Sequence, residues 1–188
     1  VKISEGCNRT CSFCIIPKLR GKHHSRSIEG ILHELSDLAA AGTSEIIFIA
    51  QDLTSYGLDR KDGTSLLTLL QAVESVNGLK WYRLMYNYPR FFSDELIQLL
   101  ASSQKFCGYI DMPFQHISDT ILKRMRRPES SVEIKGLIAK IRDRIPDISL
   151  RTTLMVGFPG ETDADFEALE RFVEESQFDH LGAFTFYR

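Results

Sequence analysis

Residues 45–52 read EIIFIAQD, and the fold turns on how this stretch is interpreted. The run EIIFIA (45–50) is apolar at every position after Glu45, which is the pattern of a strand covered on both faces in a parallel sheet. It stops at Gln51 and Asp52, which open the polar loop QDLTSYGLD. Upstream, Ser27 can cap a helix running to Ala41, with Ile28, Ile31, Leu32, Leu35, Leu38 and Ala39 on one face and Gly42 as its stop. Before that, residues 1–6 form a first strand. Downstream the alternation repeats: a helix from 65 to 76 leads to strand 79–86, and a helix from 93 to 102 leads to strand 109–114. A longer crossover follows, with a short helix at 119–125, a break at Pro128 and a second helix at 132–144. Strand 148–158, a helix at 163–175 and a last strand at 179–187 complete the pattern.

Six strands alternating with helices, joined by right-handed crossovers, make an α/β protein with one parallel sheet. Six units fall short of the eight that close a barrel, so the expected architecture is an open partial TIM barrel of the (β/α)6 type, with a doubly wound sheet as the competitor. Both architectures bind ligands at the carboxyl ends of the strands. That rule sorts the unusual residues onto one rim: the cysteines after strand one, Gln51 and Asp52 after strand two, Asn87, Tyr88 and Pro89 after strand three, Gln115 and His116 after strand four, and residues 157–161 after strand five.

Composition narrows the class. With 188 residues, 43% hydrophobic, 26% charged and a formal net charge of -2, the chain suits one soluble domain with a sizeable core. No apolar run approaches the ~18 residues of a membrane span, and VKISEGC lacks a charged-then-apolar leader. Clustered thiols fit a reducing compartment, so the expected location is cytoplasmic, with no membrane partner. Global charge does not point to nucleic acid.

Cys7, Cys11 and Cys14 crowd into CNRTCSFC. A CxxxCxxC loop can place three thiolates on three corners of a 4Fe-4S cube and leave the fourth iron open, whereas structural zinc wants four protein ligands. Zinc completed by His23, His24 or Cys107, or a disulfide, are the alternatives. Cys107, between aromatics in QKFCGYI, reads as a small buried hydrophobe. PKLRGKHHSR carries Lys18, Arg20, Lys22 and Arg26, either a solvated loop or a positive rim that attracts anions. LKRMRR, with Lys123, Arg124, Arg126 and Arg127, reads as the solvated face of a helix. Arg151 lies inside an apolar strand and needs a partner, either a cofactor carboxylate or an internal Asp or Glu. In VGFPGET, Gly157 and Gly160 let backbone approach a ligand, and Thr162 with Asp165 caps the next helix.

Cys7, Cys11, Phe13 and Cys14 match the CxxxCxΦC signature of radical S-adenosylmethionine enzymes. With EGCNRTCSFCIIP, RGKHHSR, QDLTSYGLD, PFQHIS, LKRMRRP and RTTLMVGFPGET, the chain resembles the methylthiotransferases of that superfamily. Its QDLTSYGLD loop and Gln115-His116 pair resemble the branch that modifies an aspartate of a small-subunit ribosomal protein (RimO type).

The resemblance implies a 4Fe-4S cluster on Cys7, Cys11 and Cys14, which are both the metal ligands and the catalytic centre. It implies S-adenosylmethionine beside Phe13, Gln51, Asp52, Gln115, Arg151, Gly157 and Phe158. It further implies reductive cleavage to a 5'-deoxyadenosyl radical for methylthiolation of the aspartate β-carbon, and an electron donor such as flavodoxin or ferredoxin. Residues 1–188 are expected to be the catalytic core of a longer protein, without the amino-terminal cluster domain and carboxyl-terminal β domain of full-length relatives. The alternatives are a tRNA adenosine methylthiotransferase and, in a different class, a non-catalytic zinc-binding module.

Overall fold

The computed structural model describes residues 1–187. Five strands, β3 (Glu45–Phe48), β4 (Trp81–Leu84), β5 (Phe106–Asp111), β6 (Ser149–Val156) and β7 (His180–Thr185), form one parallel sheet in the order of the chain. The first strand joins as a sixth, by a parallel bridge between Lys2 and Ile49 and hydrogen bonds from Ile3 N–H to the Ile49 carbonyl and from Ile49 N–H to the Val1 carbonyl. A strand order that never reverses decides between the two expected architectures. A doubly wound sheet grows in both directions from its middle, whereas this one is wound in a single direction, as an open partial barrel is.

The crossover helices are α2 (Ile28–Ala40), α3 (Leu66–Val73), α4 (Asp94–Ser102), the pair α5 (Asp119–Arg124) and α6 (Ser131–Arg144), and α7 (Asp163–Ser176). Five begin on a hydroxyl that accepts a backbone N–H of the first turn: Ser27, Ser65, Ser93, Ser130 and Thr162. Each such cap is worth ~1 kcal/mol. The cap at Thr162 is a full box with Asp165, as its spacing predicts. Ile31, Leu35, Leu69, Leu70, Ile97 and Phe172 from these helices pack with Phe48, Tyr82, Leu84, Ile110 and Leu154 of the strands in one core.

The double coverage expected for EIIFIA does not hold. Ile46 and Phe48 are buried, but Ile47 and Ile49 are 44% and 40% exposed. Helices cover only the outer face of an open barrel, so alternate side chains point into an uncovered concave side.

Two features lie between the expected elements. Residues 1–6 continue past the bridge into a short antiparallel ladder, β1 (Ser4–Glu5) with β2 (His24–Ser25), and between them sits a one-turn helix, α1 (Ile16–Arg20). The cysteine segment is therefore a loop whose two ends are pinned together.

Candidate functional site

Gly6 closes that loop. Its φ is +79°, a conformation disfavoured for residues with a side chain, and a Cβ there would sit 2.2 Å from the Lys22 carbonyl oxygen. The close approach lets Cys7 N–H donate to the Gly21 carbonyl at 3.1 Å and His23 N–H donate to Asn8 Oδ1 at 3.0 Å. Further along, Ser12 N–H donates to the Met125 carbonyl and Ser12 Oγ to the Arg124 carbonyl at 2.8 Å. The loop is thus held at one end by its own return strand and at the other by the end of α5.

Cys7 is buried, Cys11 half-buried and Cys14 exposed, and all three are free thiols. They line a cavity of about 140 Å³ at the carboxyl ends of the strands, together with Phe13, Gln51, Asp52 and Gln115. Burial pushes the Cys7 and Cys11 thiols up; Arg9 and Arg127 act in the opposite sense. Such thiols stay protonated until a metal or cation compensates the thiolate. Among the described residues no three His, Cys, Asp or Glu side chains converge on a single point where one ion could bind. His23 Nε2 hydrogen-bonds Ser25 Oγ at 3.1 Å, and both His23 and His24 face Asp59, at 3.7 and 3.6 Å. Cys107 lies in β5 and does not line this cavity. The four-ligand zinc site is therefore not assembled, and the three thiols spread around a space instead. Cys107 is also only half-buried, beside the charges of Arg83 and Glu45, and is less of a core residue than its aromatic neighbours suggest.

The polar lining divides into groups with partners and groups without. Asp52 is spent on structure: it caps a 3-10 turn (Leu53–Ser55) and accepts from Thr54 Oγ1, Ser55 N–H, Ser55 Oγ and Arg9 Nε, the last at 2.8 Å. Gln51 donates to Glu5 Oε1 at 3.2 Å, but its own Oε1 is buried without a partner. Asn87 Oδ1, also in the lining, is buried and unpartnered. Buried acceptors left bare in a cavity favour a ligand carrying N–H or O–H donors. Gln115 sits at φ +71°, unusual for a residue with a side chain, and is held there from both sides by β6: its N–H donates to the Thr153 carbonyl at 2.9 Å and its carbonyl accepts Met155 N–H at 2.7 Å.

Two arginines in the lining are not expected there from sequence: nothing singles out Arg9, and the segment holding Arg127 reads as solvated. Arg9 stacks on Tyr88, its guanidinium 3.8 Å from the ring centroid, and Arg127 lies over the same ring at 4.5 Å. Tyr88 donates to Glu129 Oε2 at 3.0 Å, and burial pushes its phenol far up, so it remains a neutral donor. The solvated helix face expected for LKRMRR fails at Arg127. Helix α5 ends at Arg124, Arg126 adopts φ +56°, and that left-handed step turns Arg127 inward until its side chain is 4% exposed. There Arg127 Nη2 donates to the Pro113 carbonyl at 3.0 Å, while Nε is buried without a hydrogen bond and faces the Glu129 carboxylate at 3.8 Å. Lys123, Arg124 and Arg126 stay exposed as expected.

The remaining expected site residues lie elsewhere. Arg151 forms an ion pair with the fully buried Asp111 at 2.6 Å and lines a different depression, with Tyr109 and His180. Of the two partners its sequence context allowed, the internal aspartate is the one present. Phe158 stands behind the cavity, edge-on to Phe13 with centroids 6.5 Å apart, and Gly157 is exposed in the turn before it. Phe158 supports Phe13 from outside the lining, and Gly157 is not part of it.

The Radical SAM superfamily profile matches residues 1–173. The chain is 52% identical over 188 residues to the ribosomal protein uS12 methylthiotransferase RimO of Geotalea uraniireducens, and 52% identical over 186 residues to that of a Thermotoga species. It covers 42% and 43% of those proteins, so it spans less than half the length of the relatives it matches. Among solved structures it is similar to the radical S-adenosylmethionine methyltransferase TsrM of Kitasatospora setae with cobalamin and a [4Fe-4S] cluster bound. That match has a TM-score of 0.78 at 19% identity, over 98% of this chain and 36% of the other. Methylornithine synthase matches with a TM-score of 0.66 at 16% identity, over 100% of this chain and 52% of the other. At such identities the structures speak for the fold, while the profile and its three cysteines speak for descent: the chain belongs to the radical SAM superfamily.

Proposed function

We propose that these residues are the catalytic core of a methylthiotransferase that modifies an aspartate of ribosomal protein uS12. The observation that carries the reading is the meeting of three free thiols with unpartnered buried polar atoms around one cavity. The donor set fits a 4Fe-4S cluster: three thiolates on one short loop, and space left for a non-protein ligand. Bound there, a cluster would supply the electron that breaks the sulfonium bond of S-adenosylmethionine, releasing methionine and a 5'-deoxyadenosyl radical.

The chain's own residues would bind and orient that molecule. Arg127, a buried cation whose Nε makes no hydrogen bond and lies 3.8 Å from Glu129 Oε2, suits its carboxylate. The bare oxygens of Gln51 and Asn87 suit its ammonium and hydroxyl donors, and the Gln115 amide can both donate and accept. Phe13, braced by Phe158, offers a flat apolar wall to the adenine. The identity to uS12 methylthiotransferases supports the choice of target. This reading carries a division of labour, in which this core cleaves S-adenosylmethionine and sulfur insertion is completed elsewhere.

The test is 5'-deoxyadenosine release after anaerobic reconstitution with iron and sulfide, using dithionite as reductant. Release is expected from residues 1–188, with no methylthiolated product from a uS12 peptide. No release from protein holding four irons would overturn the cleavage role, and methylthiolated peptide would overturn the division of labour. Product on a tRNA stem-loop and none on uS12 would replace the target.

A further inference from the structure

His116 is fully buried behind the rim, beside Gln115, and does not line the cavity. A buried imidazole costs free energy unless its nitrogens find partners, and here the two nitrogens fare differently. Ser118 N–H donates to Nδ1 at 3.0 Å, so Nδ1 carries no proton and the hydrogen of the ring is on Nε2. That Nε2–H is buried without a hydrogen bond and faces Glu161 Oε1 at 3.9 Å. Burial pushes the pKa of the ring down, against the opposing pull of Glu161 and Asp165, so the imidazole is neutral near neutral pH.

Each nitrogen leads to the same two residues of the cysteine loop. From Nδ1 the route is α5. Ser118 is the residue that precedes this helix, and its hydroxyl is given to Asp165. The far end of α5 holds the loop, through the bonds from Ser12 N–H to the Met125 carbonyl and from Ser12 Oγ to the Arg124 carbonyl. From Nε2 the route is the turn at 157–161. Glu161 Oε2 accepts Phe158 N–H at 2.9 Å, and Phe158 stands edge-on to Phe13. The two routes are themselves joined: Arg124 Nη1 donates to the Pro159 carbonyl at 3.2 Å, and a Cβ on Gly160 would overlap that guanidinium. Ile121 and Met125 of the first route pack with Phe158 of the second, and Phe13 lies against all three. Ser12 and Phe13 are thus gripped from two sides by elements that meet at one imidazole.

We propose that His116 is a positioning residue for S-adenosylmethionine: it touches neither that molecule nor the thiols, but through α5 and the 157–161 turn it fixes the Phe13 ring where the adenine stacks. This rests on the reading of Phe13 as the adenine wall. The grip acts on the wall and not on the iron, because Cys7 is anchored at the other end of the loop, by its bond to the Gly21 carbonyl. A flat ring binds a base well only when its orientation is set before the base arrives, so a loosened Phe13 weakens the adenine contact and leaves the other contacts of the ligand intact.

The experiment compares two ligands on the reconstituted protein. S-adenosylmethionine is followed by equilibrium dialysis with the cluster oxidised. Methionine, which carries the same amino and carboxylate groups without the adenine, is followed by EPR of the reduced cluster. His116→Leu should weaken S-adenosylmethionine binding by roughly tenfold, the scale of one buried hydrogen bond lost, with methionine binding and iron content unchanged. His116→Asn returns an acceptor for Ser118 and His116→Gln a donor toward Glu161, so each should recover part of the loss. Unchanged S-adenosylmethionine affinity in His116→Leu would overturn the proposal. Equal losses for the two ligands, or polar variants that recover nothing, would overturn it as well, since either makes the residue a core filler. If His116→Leu does not fold, Glu161→Ala should show the same split between the ligands, and parent-like affinity for both would overturn the proposal in its place. Phe13→Ala separates the two readings: full S-adenosylmethionine affinity there would remove the adenine wall and the grip with it, whereas a loss there beside unaltered His116 variants would remove the grip alone.

Discussion

The outer and inner faces of the sheet are built from the same strands and do different work. Outward, Ile46, Phe48, Tyr82, Leu84, Ile110, Leu150 and Leu154 are buried under the helices as one core. Inward, Ile47, Ile49 and Trp81 are exposed, and the ordered contacts are charged ones: Arg83 with Glu45 at 3.0 Å and Arg151 with Asp111 at 2.6 Å. Strand β6 shows the split residue by residue, with Leu150, Thr152 and Leu154 buried and Arg151, Thr153 and Met155 only half-buried. The main hydrophobic core therefore lies on one side, with a smaller cluster at the rim, where Ile121, Met125 and Phe158 pack with Phe13 and Met155. Because no helix layer covers the inner face, it and the rim can hold thiols, bare amide oxygens and stacked guanidiniums that a packed core would exclude.

The sharpest way to test this separation is to remove function without touching the fold. Cys11→Ala should abolish iron uptake on reconstitution, read by iron analysis and visible absorbance, while the unfolding midpoint of the metal-free protein stays close to that of the parent. Cys107→Ala should keep its iron. Iron retained without Cys11 would overturn the ligand assignment. The converse experiment removes stability without touching the site. Phe48→Ala, fully buried on the outer face and 6.0 Å from the Tyr82 ring, should cost about 3–5 kcal/mol in urea unfolding. Ile47→Ala, one residue along on the inner face, should cost under about 1 kcal/mol. Similar losses at the two positions would mean that the concave side is packed after all.

The same asymmetry explains what could be read from the sequence. Helix periodicity located α2 through α7 to within a few residues, helped by the hydroxyl caps at Ser27 and Thr162, because both signals are local and the outer core enforces them. The cysteine loop, Gln51, Asp52 and Gln115 were found through spacing and the rule that sites gather at the carboxyl ends of strands. EIIFIA was misjudged because an apolar run does not reveal whether a second layer of helices exists to cover it. Arg127 was misjudged because its inward turn depends on one left-handed residue, Arg126, in a segment whose composition reads as solvated helix. Arg9 carried no signal, since its partners Asp52, Ser55, Tyr88 and Phe91 are more than forty residues away.

Gln115 tests whether the rim can be altered piecemeal. Its backbone already occupies φ +71° and is fixed by Thr153 and Met155, so alanine inherits the same conformation and only the amide is lost. Gln115→Ala should weaken S-adenosylmethionine binding by roughly tenfold, equivalent to ~1.4 kcal/mol, with iron content unchanged. Unaltered affinity in a binding titration would remove it from the site.

The smallest effect lies where the two regions touch. Asp165 caps α7 and also accepts from Ser118 Oγ, which follows the rim residues Gln115 and His116, and these hydrogen bonds hold its carboxyl down at about 2. A carboxyl depressed below its unfolded value of about 3.9 stabilises the fold at higher pH and loses that contribution as pH falls from about 4 to about 2. Asp165→Asn should therefore flatten the acid limb of the stability profile in that window, by little because the carboxyl is largely solvated. Iron uptake near neutral pH should be untouched, since the link joins helix to rim without reaching the thiols. If uptake fell with Asp165→Asn, the rim would depend on the packing of α7, and the independence of the two faces would stop short of this corner.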